Sequence, residues 1–277
     1  MGCNNGELTA YLPGRMFPAV SVTGTRCDLM CGHCRGSHLK GMMNAEDASS
    51  LRDIIDRLTA DGGTGLLISG GCDINGTVPI IKEIDGIAYA SRSGLKVNVH
   101  TGFISRRDAE RLVEAGADAF SVDIHQDPAV IKDVLNLDVP VSAYSDLLDD
   151  IMSAGGRPVP HLTAGFGMHD LMMSAELVRS KGLSEVVLLA LVPAKGTVTE
   201  HTLISEDAVI SALDILTGMG FDVTLGCMRP RIHRSLEIRC IEKGVRRIAN
   251  PSRNTISWAK GKGMEIIEKR TCCCFIH

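Results

Sequence analysis

AVSVTGTRCDLMCGHC, residues 19–34, sets a short β-branched run directly against three closely spaced cysteines. The run AVSVTG, 19–24, reads as a strand. After it come Cys27, three residues, Cys31, two residues and Cys34. In a parallel α/β fold, chemistry collects on the loops that follow the carboxyl ends of strands. Two questions follow: whether this strand opens a series, and what three thiols can hold that needs three and not four.

The series is present. GLLISGG (65–71), LKVNVH (95–100), DAFSVDI (118–124), VPVSAY (139–144), VPHLTAGF (159–166), EVVLLALVP (185–193), DVTLGCMRP (222–230) and VRRIANP (245–251) also read as strands. Between them lie AEDASSLRDIIDRLTADG, SRRDAERLVEAGA, HDLMMSAELVRSKG and SEDAVISALDILTGMG, with apolar residues at helical spacing. Strand, helix, strand at this spacing implies right-handed βαβ units and a parallel sheet. The expected fold class is α/β: a full or partial (β/α) TIM-type barrel, a single domain with a Cys-rich C-terminal tail. Nine runs are one too many for a closed eight-stranded barrel, so VPVSAY is expected to be a short non-barrel element, or the barrel to be partial with six strands. The divisions are an N-terminal extension (1–18), the barrel (19–260) and the tail (261–277), with Met264 onward outside the repeat.

The strand-end rule selects a set of residues: Cys27 to Cys34, then Gly70, Gly71, Cys72 and Asp73, His100, Asp123, His125, Gly165, Gly167, Lys195, Cys227, Arg229 and Arg231. Taken singly each is an ordinary loop residue. Together they bring polar and thiol groups to one face.

Composition bounds what that face serves. The 277 residues are 44% hydrophobic and 22% charged, aromatics make 4%, and the net charge is −4. This suits a globular enzyme with an aliphatic core, and no sign bias suggests nucleic acid. No segment is long and apolar enough for a bilayer crossing, and MGCNNGELTA has no signal-peptide pattern, so the expected location is cytoplasmic. Gly6 breaks the myristoylation pattern, and CFIH at the end fits a prenylation box only formally. The ten cysteines are therefore expected to be thiols or metal ligands. They cluster at 27–34 and 272–274, with Cys3, Cys72, Cys227 and Cys240 single. Three thiolates on a four-iron cube leave one iron open for an outside ligand. Zinc, with His33 or His38 as fourth ligand, is the rival reading, although a second C-x-x-C pair is missing.

Cys27-x-x-x-Cys31-x-x-Cys34 after the first strand of an α/β barrel resembles the radical S-adenosylmethionine superfamily, and the resemblance runs from about Val20 to Pro251. It implies a [4Fe–4S] cluster on Cys27, Cys31 and Cys34, and S-adenosylmethionine on the open iron. It also implies reductive cleavage to a 5′-deoxyadenosyl radical that takes hydrogen from an unactivated carbon, in an oxygen-sensitive enzyme. For the cofactor it implies Ser69-Gly70-Gly71 near the methionine, although Cys72 stands where the family has Glu. His33 would lie by the adenine and Asp123 by the ribose. Thr163-Ala-Gly165-Phe-Gly167 would run along the adenine, with backbone from Leu191 and Val192 at its edge.

LLISGGCD, LVPAKGT and GCMRPR are similar to the biotin synthase and lipoyl synthase branch, most of all to the archaeal two-subunit lipoyl synthases. That finer resemblance implies sulfur insertion at C–H carbons of an octanoyl chain on a protein lysine or acyl carrier, a related second subunit, and a ferredoxin or flavodoxin as electron donor. A second iron–sulfur cluster would use Cys227, Cys272, Cys273 and Cys274, with the tail folded over the active face. Cys72, His100, His125 and Arg229 are the candidate catalytic residues. The alternatives are a radical enzyme that rearranges or cleaves a small amino-acid-derived substrate, and a non-catalytic iron–sulfur or zinc module.

Overall fold

The computed structural model describes residues 6–275. Cys3, the myristoylation pattern, and the last two residues of the formal prenylation box lie outside them. The strands are β1 (Glu7–Tyr11), β2 (Ala19–Ser21), β3 (Met43–Asn44), β4 (Gly65–Ser69), β5 (Lys96–Val99), β6 (Ala119–Asp123), β7 (Pro158–Ala164), β8 (Glu185–Ala190), β9 (Asp222–Leu225), β10 (Arg247–Ala249) and β11 (Glu265–Lys269). The helices are α1 (Ala48–Ala60), α2 (Ile84–Arg92), α3 (Arg106–Glu114), α4 (Ser142–Ser153), α5 (Met168–Ser180), α6 (Glu206–Gly218), α7 (Leu236–Glu242) and α8 (Arg253–Gly261).

All eleven strands form one sheet in the order β11-β1-β10-β9-β8-β7-β6-β5-β4-β2-β3, and every pairing is parallel. A closed barrel has no end strands. This sheet ends on β3 and β11, so it is a partial TIM-type barrel. The helices cover its outer face, where Leu51, Ile55, Ile87, Leu112, Leu148, Val178 and Leu213 are fully buried. Side-chain caps start several of them: Asp47, Ser105, Ser205 and Ser252 each accept a backbone N–H of the first turn. Among the described residues no helix is long and apolar enough to cross a membrane.

Three strands had no counterpart in the sequence reading. β1 lies within 1–18 and is inserted between β10 and β11. β11, EIIEK, is a half-exposed edge strand whose charges hide its alternation. β3 is two residues long. VPVSAY is not a strand: α4 begins at Ser142 inside it. Pro140 has no N–H for a sheet ladder, and its fixed φ suits the residues just before a helix.

The tail does not fold over the active face. It enters from the opposite end of the barrel. Thr64, just before β4, donates to the carbonyl of Arg270. Arg157, just before β7, donates to the carbonyl of Cys274 at 2.5 Å. The Phe275 ring packs on Phe17, just before β2, at 5.7 Å. Cys273 and Cys274, 5% and 1% exposed, then fill the lumen among Tyr11, Ala119, Val159, Val187, Leu189 and Ala249. They form a plug.

Candidate functional site

The loop from Cys27 to Cys34 is fixed by backbone contacts rather than by its thiols. The N–H groups of Asp28 and Leu29 donate to the Cys72 carbonyl, at 2.8 and 3.2 Å. The Gly32 N–H donates to Val134 O at 2.6 Å, and the Asn136 amide donates to the carbonyls of Leu29 and Met30. Gly71 lets the loop close. A Cβ there would lie 2.0 Å from the Arg26 carbonyl oxygen and 2.6 Å from Cys27 Cα, a backbone approach only glycine permits. Its N–H donates to Thr23 Oγ1 at 2.7 Å, and that hydroxyl donates to Arg26 O at 2.8 Å.

The result is a thiol-dense cradle. The ligand atoms of Cys31, His33 and Cys34 all lie within 4.8 Å of one another. His33 Nδ1 is buried with no partner. A hydrogen bond from Cys31 lowers Cys34 to about 4 against its burial, with His33 helping, and the same bond raises Cys31 far above its ordinary value. Burial, then the charge of Cys27, pushes Cys72 up to about 12. Several thiols share a small volume, and each resists the ionisation of the next; a metal centre relieves that repulsion. The donor chemistry, the orphaned imidazole nitrogen and the tight loop fit a thiolate-held cluster.

Beside the cradle is a chamber with about 830 Å³ of empty space including its mouth. Its walls are mostly apolar, with Leu29, Val78, Phe103, Leu137, Leu147 and Phe166 among them. The ionisable groups Cys31, His33, Cys72, His100, Asp123 and His125 converge on it. His100 Nε2 and Asp123 Oδ2 are 3.2 Å apart, partly enclosed by the chamber they line. Burial would lower His100, but Asp123 outweighs it and raises the imidazole. Burial would raise Asp123, but His100 outweighs it and holds the carboxyl well below its usual range.

The signs set a pH window. A raised His100 contributes fully below the ordinary histidine value of about 6.5 and loses its contribution as pH rises through its folded value. A lowered Asp123 contributes fully above about 3.9 and loses its contribution as pH falls through its folded value. Asp123→Asn is therefore expected to cost more unfolding free energy near pH 6 than near pH 9, measured by urea titration. An equal cost at both values would refute the ion pair.

His125 is set differently. It is buried, and its Nδ1 lies 2.8 Å from Asp170 Oδ2. Asp170 Oδ1 accepts the N–H groups of Gln126 and Asp127 at 2.7 and 2.9 Å. Burial alone would raise Asp170; the bonds from His125 and these amides lower it instead. The carboxylate thus orients the imidazole, and its Nε2 is the nitrogen left for the chamber.

Other sequence-selected residues lie elsewhere. Arg229 is 3% exposed. Its Nε and Nη2 donate to Glu237, and its remaining donors reach the carbonyls of Gly226, Ala249 and Asn250. No donor is left for a substrate, so its catalytic assignment is corrected: it bolts the loop after β9 to the end of β10. Ser69 is buried at the end of β4. Gly165 and Gly167 border a separate cleft with Leu171, Ile204 and Ala212. Leu191 is buried with its N–H on Ala164 O, Val192 is half-buried, and Lys195 is exposed. Cys227 is accessible, with its carbonyl held by Arg231. Asp170 and His161 were missed. Asp170 lies in the first turn of α5, where an acid is common, so its position alone carried no signal. His161 shares its period-2 face of β7 with Thr163, a signal that was there to read.

Known proteins share this architecture. A sequence profile described as the Radical SAM superfamily matches residues 21–178. No curated protein sequence matches the chain. Among solved structures it is similar to methylornithine synthase (PylB), with TM-score 0.65 and 12% identity over 95% of this chain and 84% of that one. The FeFe-hydrogenase maturase HydG from Carboxydothermus hydrogenoformans gives TM-score 0.63 and 15% identity over 94% of this chain and 67% of that one. Streptococcus suis SuiB, whose structure holds S-adenosylmethionine, gives 0.55 and 14% over 82% and 51%. At these identities the structural likeness speaks for the fold. The sequence profile covers more than half of the chain, and with the three-cysteine loop beyond β2 it decides the family: the chain belongs to the radical S-adenosylmethionine superfamily, whose cofactors are a [4Fe–4S] cluster and S-adenosylmethionine.

Proposed function

We propose that Cys27, Cys31 and Cys34 hold the cluster and that the enzyme inserts sulfur at an unactivated C–H carbon of an aliphatic substrate: the C–H bond would be broken by loss of a hydrogen atom, and the C–S bond made to a sulfide given up by a second, sacrificial iron–sulfur cluster, whose iron would take the remaining electron. When bound, the cluster and S-adenosylmethionine supply reductive cleavage of a sulfonium and removal of a hydrogen atom from carbon. The observation that carries the reading is the chamber itself: a mostly apolar wall for an acyl chain, with the thiols of Cys31 and Cys72 on the cradle side. Cys72 stands on the chamber wall, and His125, aimed by Asp170, offers Nε2 there as a proton acceptor. His100 and Asp123 offer a charged anchor at the strand ends. A low-potential one-electron carrier such as ferredoxin or flavodoxin supplies reductant. An acyl carrier or protein lysine presents the chain, and a related second subunit completes the enzyme.

The second reading is rearrangement or cleavage of a small amino-acid-derived substrate. The paired ionisable groups favour it, because His100 with Asp123 and His125 with Asp170 suit amino and carboxylate groups. One experiment separates the two. Protein made and reconstituted without oxygen is given S-adenosylmethionine, reductant and an octanoyl-lysine peptide. Thiolated peptide alongside 5′-deoxyadenosine supports sulfur insertion. Cofactor cleavage coupled only to amino-acid substrates supports the second reading. Absence of cleavage in protein carrying the cluster defeats both. His125→Gln is expected to lower product formation about 10²-fold or more while uncoupled 5′-deoxyadenosine formation persists. An unchanged ratio of product to 5′-deoxyadenosine would remove His125 from the reaction.

A further inference from the structure

Under the chamber, the plug gathers more thiol than packing needs. The sulfurs of Cys272, Cys273 and Cys274 all lie within 4.8 Å of one another. Three consecutive side chains cannot all point one way along an extended chain, yet here a turn brings all three together in the lumen. The surroundings are polar where an apolar plug would have sufficed. Ser121 Oγ lies 3.2 Å from Cys274 Sγ. The Asn98 amide donates to Cys272 Sγ at 3.6 Å and to Ser121 Oγ at 2.9 Å. Weak donors around a sulfur are what a thiolate ligand keeps around it.

A second observation comes from β7. His161 Nδ1 lies 2.9 Å from the carbonyl of Val159. A carbonyl only accepts, so Nδ1 carries the proton and Nε2 keeps its lone pair. An imidazole that donates its other N–H to a backbone carbonyl is the usual arrangement of a metal-binding histidine. Val159 belongs to the same buried cluster as Cys273 and Cys274, and His161 stands two residues further along the same face of β7, on the chamber side of the plug. His161 lies outside the 4.8 Å group of the three sulfurs.

We propose that Cys272, Cys273 and Cys274 form a second thiolate metal centre at the barrel floor, separate from the cradle of Cys27, Cys31 and Cys34, and that His161 closes it from the chamber side. The shared chemistry is a thiophilic metal, as an iron–sulfur unit or a single zinc-like ion. The centre stands whichever reaction the chamber performs.

The test uses the full chain with the first site removed: Cys27→Ala, Cys31→Ala and Cys34→Ala together. This variant is reconstituted without oxygen, once with iron and sulfide and once with zinc, then desalted and analysed for bound metal and sulfide. Iron with matching sulfide identifies a cluster, zinc without sulfide a single ion, and either result supports the centre. Adding Cys272→Ala is expected to cut the retained metal about tenfold or more. Cys272 is the half-buried member, so this variant should fold; Cys272→Ser provides a second, milder change, and circular dichroism checks both. His161→Gln is expected to abolish imidazole nitrogen hyperfine coupling in the paramagnetic state of the iron form while the thiols retain metal. A folded first-site variant that retains no metal, or one that retains the same amount after Cys272→Ala, overturns the centre. Coupling that survives His161→Gln overturns the role of His161. Because metal content is read without S-adenosylmethionine or substrate, this failure is distinct from failure of the proposed reaction.

Discussion

Replacing Cys31 by alanine is expected to reduce 5′-deoxyadenosine formation to the reagent blank and to remove the iron held by the cradle. The reason lies in what the substitution takes away and what it leaves. The Cys31 sulfur lies within 4.8 Å of the donor atoms of His33 and Cys34, so its loss leaves too few thiolates on that side. The backbone is unaffected in principle: the Cys31 carbonyl still accepts the N–H groups of Cys34 and Arg35, and the loop is still tied to Cys72 and Val134. Thermal stability of the metal-free protein should therefore change little, and the loss of activity should not reflect misfolding. The measurement is anaerobic reconstitution followed by iron analysis and quantification of 5′-deoxyadenosine. An undiminished yield with normal iron would mean that the three-cysteine loop is not the cluster site.

The second large effect is on stability. Arg229→Ala is expected to destabilise the fold by about 3–5 kcal/mol, because it leaves a buried carboxylate without its main partner. Glu237 is buried and receives Arg229 and Arg231 at Oε1, and Ser252 N–H and the Thr255 hydroxyl at Oε2. Burial would raise Glu237, but Arg229 and these hydrogen bonds keep it low. Arg231 is half-exposed and cannot replace the guanidinium that also ties three carbonyls together. Chemical denaturation at neutral pH reads this directly. Substrate affinity of the protein that remains folded should not change, since Arg229 is absent from the chamber wall. A large rise in KM with unchanged stability would return Arg229 to the substrate.

Arg229 illustrates the limit of reading a chain one residue at a time. Its place after a strand made it a catalytic candidate, and that place is the same in the structure. Whether a guanidinium at such a position meets a substrate or a buried glutamate depends on Glu237, eight residues away, and on carbonyls of β10. Spacing along the chain does not carry that information. The plug shows the same limit more strongly. TCCCFIH marks thiols that invite ligation, but nothing in it says from which end of the barrel they arrive. The docking of Phe275 on Phe17 and of Arg157 on the Cys274 carbonyl decides that. β11 escaped because the charges of Glu265, Glu268 and Lys269 break the period-2 alternation that would mark a strand.

Much else was legible, for a local reason. The strand–helix alternation survives because each βα unit is made by contacts between neighbours in sequence, and its amphipathic pattern follows from period 2 and period 3.6. The thiol loop was legible because Cys27, Cys31 and Cys34 lie within eight residues, so a single stretch of chain carries all three candidate ligands; the structure gathers Cys31 and Cys34 with His33. His125 was chosen by position, yet its orientation comes from Asp170, 45 residues on. By itself, the sequence determined the parallel α/β class, and it marked the three-cysteine loop as the candidate cradle. Only the tertiary structure decided that the barrel stays open, which histidines are aimed and by whom, and that the tail cysteines sit under the chamber instead of over it. Those choices rest on long-range packing and hydrogen bonds between segments that the chain itself does not place side by side.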